Sequence, residues 1–302
     1  MRSDHAQLTH HAWLRGGVAA IAAVALSLGA SDATAVPARR PFFAFDNAAK
    51  DTAHPDTTSQ IALLKELGYD GIGSVRPAHV PEALVAAEKQ GITIFSIYAV
   101  VPIDEGTTVD PVLFEALGQL KGRGVALWLG LTSKKFKPAD LAGDEFALRR
   151  FKEIAAPADD NGVPIILYPH AGFWLERMDD ALRFADKTGR ADIGVMFNLC
   201  HFLRLQDEAD LSDVLRRAKS RLRCVSINGA DSGCRGAEWK RIIQTLDRGT
   251  FDVANVIRAL DAIGYAGPVG FQGYGIGGDA RDNLERTIGA WRAINARAER
   301  AR

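Results

Sequence analysis

The chain has 302 residues, 47% of them hydrophobic and 25% charged, so it can bury a sizeable core and is not a disordered polymer. Lys plus Arg and Asp plus Glu each number 37. That balance argues against nucleic acid or an anionic membrane surface as a main partner, and no internal repeat or low-complexity run points to an array.

The first 35 residues read apart from the rest. Arg15 precedes "GGVAAIAAVALSLGA", an apolar run of 15 small-rich residues, and "SDATA" follows. Ala33-Thr34-Ala35 has the small-x-small form of a signal peptidase site. The segment resembles a secretory signal peptide cleaved near Ala35, which implies a periplasmic or extracellular protein with no membrane attachment after cleavage. A retained anchor is the alternative, but the run is shorter than the ~20 residues a spanning helix needs. No Cys follows the run to carry a lipid, and no Arg pair precedes it. Cys200, Cys224 and Cys234 all lie beyond it. An odd number in an exported chain leaves at least one thiol unpaired, and a Cys224–Cys234 bridge stays open. Cys200 and Cys224 fall in apolar runs read as strands, where Cys is usually a small buried side chain.

From Pro41 onward the apolar period alternates between two values. "FFAFDN" (42–47) predicts a strand and "TTSQIALLKELG" (57–68) a helix with a Thr/Ser start and a Gly stop. "GIGSVR" (71–76) predicts a strand. "VPEALVAAEKQG" (80–91) predicts a helix with Pro81 in its first turn and Gly91 at its end. Further strands are expected at 93–101, 126–132, 164–170, 192–201, 223–229 and 268–275, almost continuously apolar, as strands covered on both faces must be. Amphipathic helices separate them. Met178, Ala181, Leu182 and Ala185 make one stripe, as do Val253, Val256, Ile257 and Leu260, and Leu284, Ile288 and Trp291 line one face of the last helix. Eight strand–helix units in residues 36–302 suit a single (β/α)8 barrel, which takes about 250 residues. An open doubly wound sheet is the alternative, but no Gly-x-Gly-x-x-Gly turn follows the first strand to support a dinucleotide site. The long segment 228–250 is expected to fold over the barrel top.

A barrel puts its active site at the carboxyl ends of its strands. Those ends carry Asp46-Asn47, Ser74-Val75-Arg76, Tyr168-Pro169-His170 followed by Trp174, Asn198 with His201, Asn228 with Asp231, and Gln272 with Tyr274. Of seven histidines, only His170 and His201 fall at such ends.

The chain is similar to the xylose isomerase-like barrels of the sugar phosphate isomerase/epimerase superfamily. The stretches that carry the likeness are "LYPHAGFWLERMDDALRFADKTGRADIGVMFNLCH" and "LDRGTFDVANVIRALDAIGYAGPVGFQGYG". The resemblance implies a divalent metal held by Glu, Asp, His and Glu on strands five to eight, the two Glu also moving a proton between adjacent carbons of a ketose. Here the family's local patterns read Tyr168-Pro-His170, Asn198-Leu-Cys-His201, Asn228-Gly-Ala-Asp231 and Gln272-Gly-Tyr274. The second residue of each pair remains, whereas the four ligand positions have become Tyr, Asn, Asn and Gln. Hard cations want charged oxygen ligands, so no metal ligand and no cofactor is assigned at the usual position. An amide cannot take a proton from carbon at neutral pH, so the family's two-glutamate shuttle cannot operate in its usual form.

Amides suit sugar hydroxyls, each offering an acceptor and two donors. Asn198, Asn228 and Gln272, with Tyr168, are therefore the expected substrate-binding ring. Trp174 would stack on a sugar face, and Arg76 would hold an anionic group or an enediolate oxygen. His170 and His201 are the candidate bases, with Asp231 orienting one of them or acting itself. The expected function is an exported isomerase, epimerase or lyase that takes a proton beside the carbonyl of a sugar without the family's metal. A non-catalytic carbohydrate-binding barrel is the alternative. A rearranged divalent site on His170, His201 and Asp231 is a third reading. Abasic-site nuclease activity, known on this fold, is disfavoured by the neutral charge and the export signal.

Overall fold

The computed structural model describes residues 39–300, with side chains to 297, so the expected signal segment lies outside the described residues. The strands are β1 (Phe42–Phe45), β2 (Gly71–Gly73), β3 (Thr93–Ile94), β4 (Ser96–Pro102), β5 (Ala126–Thr132), β6 (Ile165–Leu167), β7 (Gly194–Asn198), β8 (Leu222–Ile227) and β9 (Val269–Phe271). All pair in parallel, in the order β3-β2-β1-β9-β8-β7-β6-β5-β4. β3 and β4 are one barrel strand interrupted at Phe95. The Phe95 N–H donates to Ile72 O at 2.8 Å and the Tyr98 N–H to Val75 O at 2.9 Å, so the last strand in this order returns to β2 and the ring closes. The outcome is the expected α/β barrel of eight strands.

The helices are α1 (Thr57–Leu67), α2 (Val80–Gln90), α3 (Pro111–Gln119), α4 (Asp144–Asp160), α5 (Met178–Lys187), α6 (Leu199–Leu205), α7 (Leu211–Ala218), α8 (Trp239–Ile242), α9 (Val253–Ala262) and α10 (Ala280–Arg300). Their ends follow sequence chemistry. Asp56 caps α1 by accepting from the Ser59 N–H, and Gly68 ends it in the left-handed region at φ 81°. Gly91 closes α2 in the same way.

The barrel interior is packed with rings. Phe43 and Phe45 from β1 meet Trp128, Ile166, Met196 and Cys224 from other strands and Tyr168 just after β6. Two strand glycines make room for them: a Cβ at Gly73 would stand 2.4 Å from the Phe43 ring, and one at Gly270 2.5 Å from it. The larger apolar layer lies between strands and helices, where Ile61, Leu64, Phe184, Leu260 and Trp291 are fully or nearly fully buried.

Two expectations change. β7 stops at Asn198, and Leu199 begins the short helix α6, so Cys200 and His201 are helical rather than part of a strand. The first five residues of α6 are all buried, and an unbroken apolar run reads alike for a buried strand and a buried helix. The cysteines are all free and buried, which removes the Cys224–Cys234 bridge.

Candidate active site at the barrel mouth

A cavity of about 810 Å³ opens at the carboxyl ends of the strands. Its floor carries Asp46 after β1, Ser74 and Arg76 after β2, Tyr98 on β4, Tyr168 and His170 after β6, His201 on α6, and Gln272 after β9. The segment 228–250 does reach the mouth: Trp239 of α8 and Ile243 complete one wall. Of the expected residues, the fold therefore brings Arg76, Tyr168, His170, His201 and Gln272 to one cavity.

Three of the four positions that hold metal in the resembled family are tied together. The Asn198 amide donates to the Tyr168 hydroxyl at 2.5 Å, and the Cys200 thiol donates to the Asn198 carbonyl at 3.1 Å. The Tyr168 hydroxyl also interacts with the Gln272 amide. Burial holds the Tyr168 phenol well above its ordinary pKa, so it stays neutral. Asn198 is buried beneath this cluster and does not line the main cavity, so it supports Tyr168 rather than meeting substrate. Asn228 is also displaced from the expected ring. It is fully buried, and its amide donates to Gly229 O and Ile242 O, pinning segment 228–250 to β8.

Asp231 is not among the cavity-lining residues. Its carboxylate accepts from Arg241 Nε and Gln244 Nε2, each at 3.1 Å. It is spent within the loop, so it can neither orient a histidine nor act as a base there. The rearranged metal site on His170, His201 and Asp231 loses its third ligand. Among the described residues no three His, Cys, Asp or Glu side chains are grouped to hold an ion. Neutral amides and a phenol at the family positions do not fit a hard divalent cation either.

Trp174 is also corrected. It is 1% exposed, its indole N–H donates to Asp140 O at 2.9 Å, and its ring packs edge-on against Phe184. The neighbouring Phe173 takes the cavity place instead. An aromatic pair after a strand end gives no sign of which ring turns inward, so sequence alone could not choose.

The two histidines meet. Their ring centroids are 3.9 Å apart with a 47° tilt. His170 stacks on Phe173 at 4.0 Å, and its Nδ1 stands 2.9 Å from Ala171 O. A carbonyl only accepts, so Nδ1 carries the hydrogen and Nε2 is left as the acceptor of the neutral ring. Burial pushes the His170 pKa down to about 4. His201 is pushed well below the usual range by burial, with His170 and Arg204 adding to it. Neither His201 ring nitrogen has a hydrogen-bond partner among the described residues.

The residue that sequence reasoning passed over is Asp46. It was visible at a strand end, but its chemistry depends on burial. Desolvation raises its pKa to about 6, against the opposing pull of the Asn47 N–H, Arg76, Lys50 and Ser74. Ser74 stands in the left-handed region at φ 64°, an uncommon place for a serine, and its N–H donates to Ser96 Oγ at 3.0 Å. Strained backbone of this kind gathers at functional sites. A half-buried carboxyl that titrates near neutrality beside a guanidinium suits proton transfer better than either low-pKa imidazole.

The comparisons with known proteins agree with the barrel fold. Among curated proteins no sequence match reaches significance. Solved structures of the same fold include 3-keto-D-glucoside 4-epimerase YcjR from E. coli, at TM-score 0.64 and 14% identity, covering 84% of this chain and 100% of that one. D-allulose 3-epimerase from Methylomonas sp., solved with D-allulose, aligns at TM-score 0.65 and 19% identity over 85% and 98% of the two chains. The IOLI protein, solved with a bound zinc atom, aligns at TM-score 0.64 and 14% identity over 84% and 97%. The xylose isomerase-like TIM barrel model matches residues 112–294, more than half of the chain, and the chain belongs to that family.

Proposed function

We propose that the barrel mouth binds a sugar or keto-sugar and moves a proton on the carbon next to its carbonyl, as an epimerase, isomerase or lyase. The observation that carries this reading is the union of Asp46, Arg76 and His170 in one cavity of a sugar-epimerase-like barrel. In its ionised form Asp46 takes the proton from carbon, and the bonding pair moves onto the carbonyl oxygen. Arg76 donates to the enediolate oxygen that forms. Return of that proton from Asp46 to the neighbouring carbon gives the isomer, a proton delivered by solvent to the opposite face gives the epimer, and loss of a leaving group gives the elimination product. His170 Nε2 accepts from a substrate hydroxyl, and Gln272 offers both donor and acceptor. The reaction is proposed to run without the divalent ion of the resembled family, because Tyr168, Asn198 and Gln272 satisfy one another instead of presenting charge.

The test is incubation of a ketose and 3-keto-glycoside panel in deuterated water, followed by proton NMR. Deuterium entering the carbon beside the carbonyl supports catalysis. Binding across the panel without exchange or product supports the second reading, a carbohydrate-binding barrel without catalysis. That reading is favoured by Tyr168 and Gln272 standing where the resembled family has its two proton-moving carboxylates. Export is proposed on the segment ending at Ala35, and N-terminal sequencing of the mature protein checks it.

A further inference from the structure

The cavity has two unlike halves. Its floor is polar, as described above. Its wall between β2 and α3 is mostly apolar, formed by Pro77, Ala78, Val100, Val109, Val112 and Leu113, with His79 at the end of the same turn. The wall is continuous, because α3 packs on the 3-10 turn Pro77–His79. Val100 follows Tyr98 by two residues on β4 and so points the same way, and the Tyr98 ring packs on Tyr168 at 4.7 Å inside the barrel. The one carboxylate on this wall, Asp110, accepts from the Val112 N–H at the start of α3 and is engaged as a helix cap.

Four large apolar side chains stand exposed among the described residues, and two of them, Val100 at 44% and Tyr274 at 62%, line this cavity. Exposed apolar surface gathered at one concave site marks a binding surface. A cavity of about 810 Å³ is also of the size that encloses drug-sized molecules, well above a lone monosaccharide. A sugar ring on the polar floor leaves the β4–α3 wall uncovered.

We propose that this wall is a second subsite, which takes an apolar aryl or alkyl group carried by the sugar, so that the ligand is a hydrophobic glycoside rather than a free monosaccharide. The inference rests on the sugar reading above and adds the substituent. The polar floor orients the ring, and the wall contributes affinity through burial of the aglycone.

Isothermal titration of the full chain with paired methyl and phenyl glycosides of glucose, galactose, mannose and xylose tests it, with benzyl alcohol as the sugar-free probe. The phenyl glycoside of at least one sugar is expected to bind about tenfold or more tighter than its methyl partner, given the apolar area a phenyl ring buries. Val100→Asp, at a position exposed enough to keep a charge solvated, is expected to bring that ratio to within about twofold. Equal affinities, or a preference that survives Val100→Asp, overturn the subsite while leaving the sugar reading in place. Benzyl alcohol binding as tightly as the phenyl glycoside overturns the sugar reading and the proposed ligand with it. Binding by no member of the panel overturns both.

Discussion

The Asn198 side chain donates its amide hydrogen to the Tyr168 hydroxyl at 2.5 Å, joining two positions where the resembled family places metal-holding carboxylates. A cation there would meet a neutral phenol and amides already committed to one another. Thermal melting should therefore be insensitive to chelator and to added Mg2+, Mn2+ or Zn2+. An ion at a hundred times its dissociation constant would stabilise the fold by about 2.7 kcal/mol, a shift of several degrees. A metal-dependent rise of that size, or a stoichiometric ion in protein purified without added metal, would count against the metal-free reading.

Asp46 sets the alkaline side of the pH response. Its folded pKa of about 6 lies above the ordinary 3.8, so the folded state holds the proton more tightly than the unfolded chain. Its stabilising effect is complete below about 3.8 and is lost as pH rises through 6. Asp46→Asn should accordingly be more stable than the parent at pH 8, by about 1–3 kcal/mol, with the advantage shrinking toward pH 4. The same substitution should slow deuterium exchange by roughly 10²–10⁴-fold, since it removes the base. Exchange in the parent should rise with pH through about 6 and then level.

His170 works in the opposite direction. Its folded pKa of about 4 lies below the ordinary 6.5, so the unfolded chain takes the proton first. The stability it contributes is complete above about 6.5 and is lost as pH falls toward 4. His170→Gln should flatten the acid limb of the stability profile by about 1–3 kcal/mol, measured by denaturant unfolding at pH 7 and pH 4.5. Imidazole NMR of the folded parent should find this ring neutral at pH 5.5. A ring that titrates near 6.5 would mean that His170 is more open to water than the cavity geometry allows.

What the sequence revealed, and what it hid, divides along physical lines. β5 follows the expected 126–132 residue for residue, because a long apolar run between glycines and polar turns has no competing period. Gly68 and Gly91 end their helices where a residue without Cβ can turn left-handed. The run "FNLCH" misled because a buried helix following a buried strand leaves the composition unchanged. His170 and His201 could be placed at one mouth from strand order alone. Trp174 and Asp231 could not be excluded from it, since each is held away by a partner distant in sequence or by its own loop. Asp46 was in view, yet what distinguishes it is desolvation by its neighbours, and no local pattern encodes that.

Asn228 and Asp231 sit three residues apart in one loop, and the structure gives them opposite weights. The Asn228 amide is buried and donates to Gly229 O and Ile242 O, which seats the short helix carrying Trp239 against the cavity. Asn228→Ala strands the Ile242 carbonyl, while Gly229 O keeps the Gln244 N–H, and should cost about 1–3 kcal/mol in unfolding free energy. It should also speed amide exchange across 228–250 and weaken ligand binding by loosening the Trp239 wall. The Asp231 carboxylate bonds Arg241, Gln244 and the Thr250 backbone within its own loop, so Asp231→Asn should leave deuterium exchange on substrate at the parent rate. Hydrogen exchange by mass spectrometry and the NMR assay together read both variants. If Asp231→Asn abolished turnover while Asn228→Ala left the loop ordered, the division of labour drawn from these hydrogen bonds would be reversed.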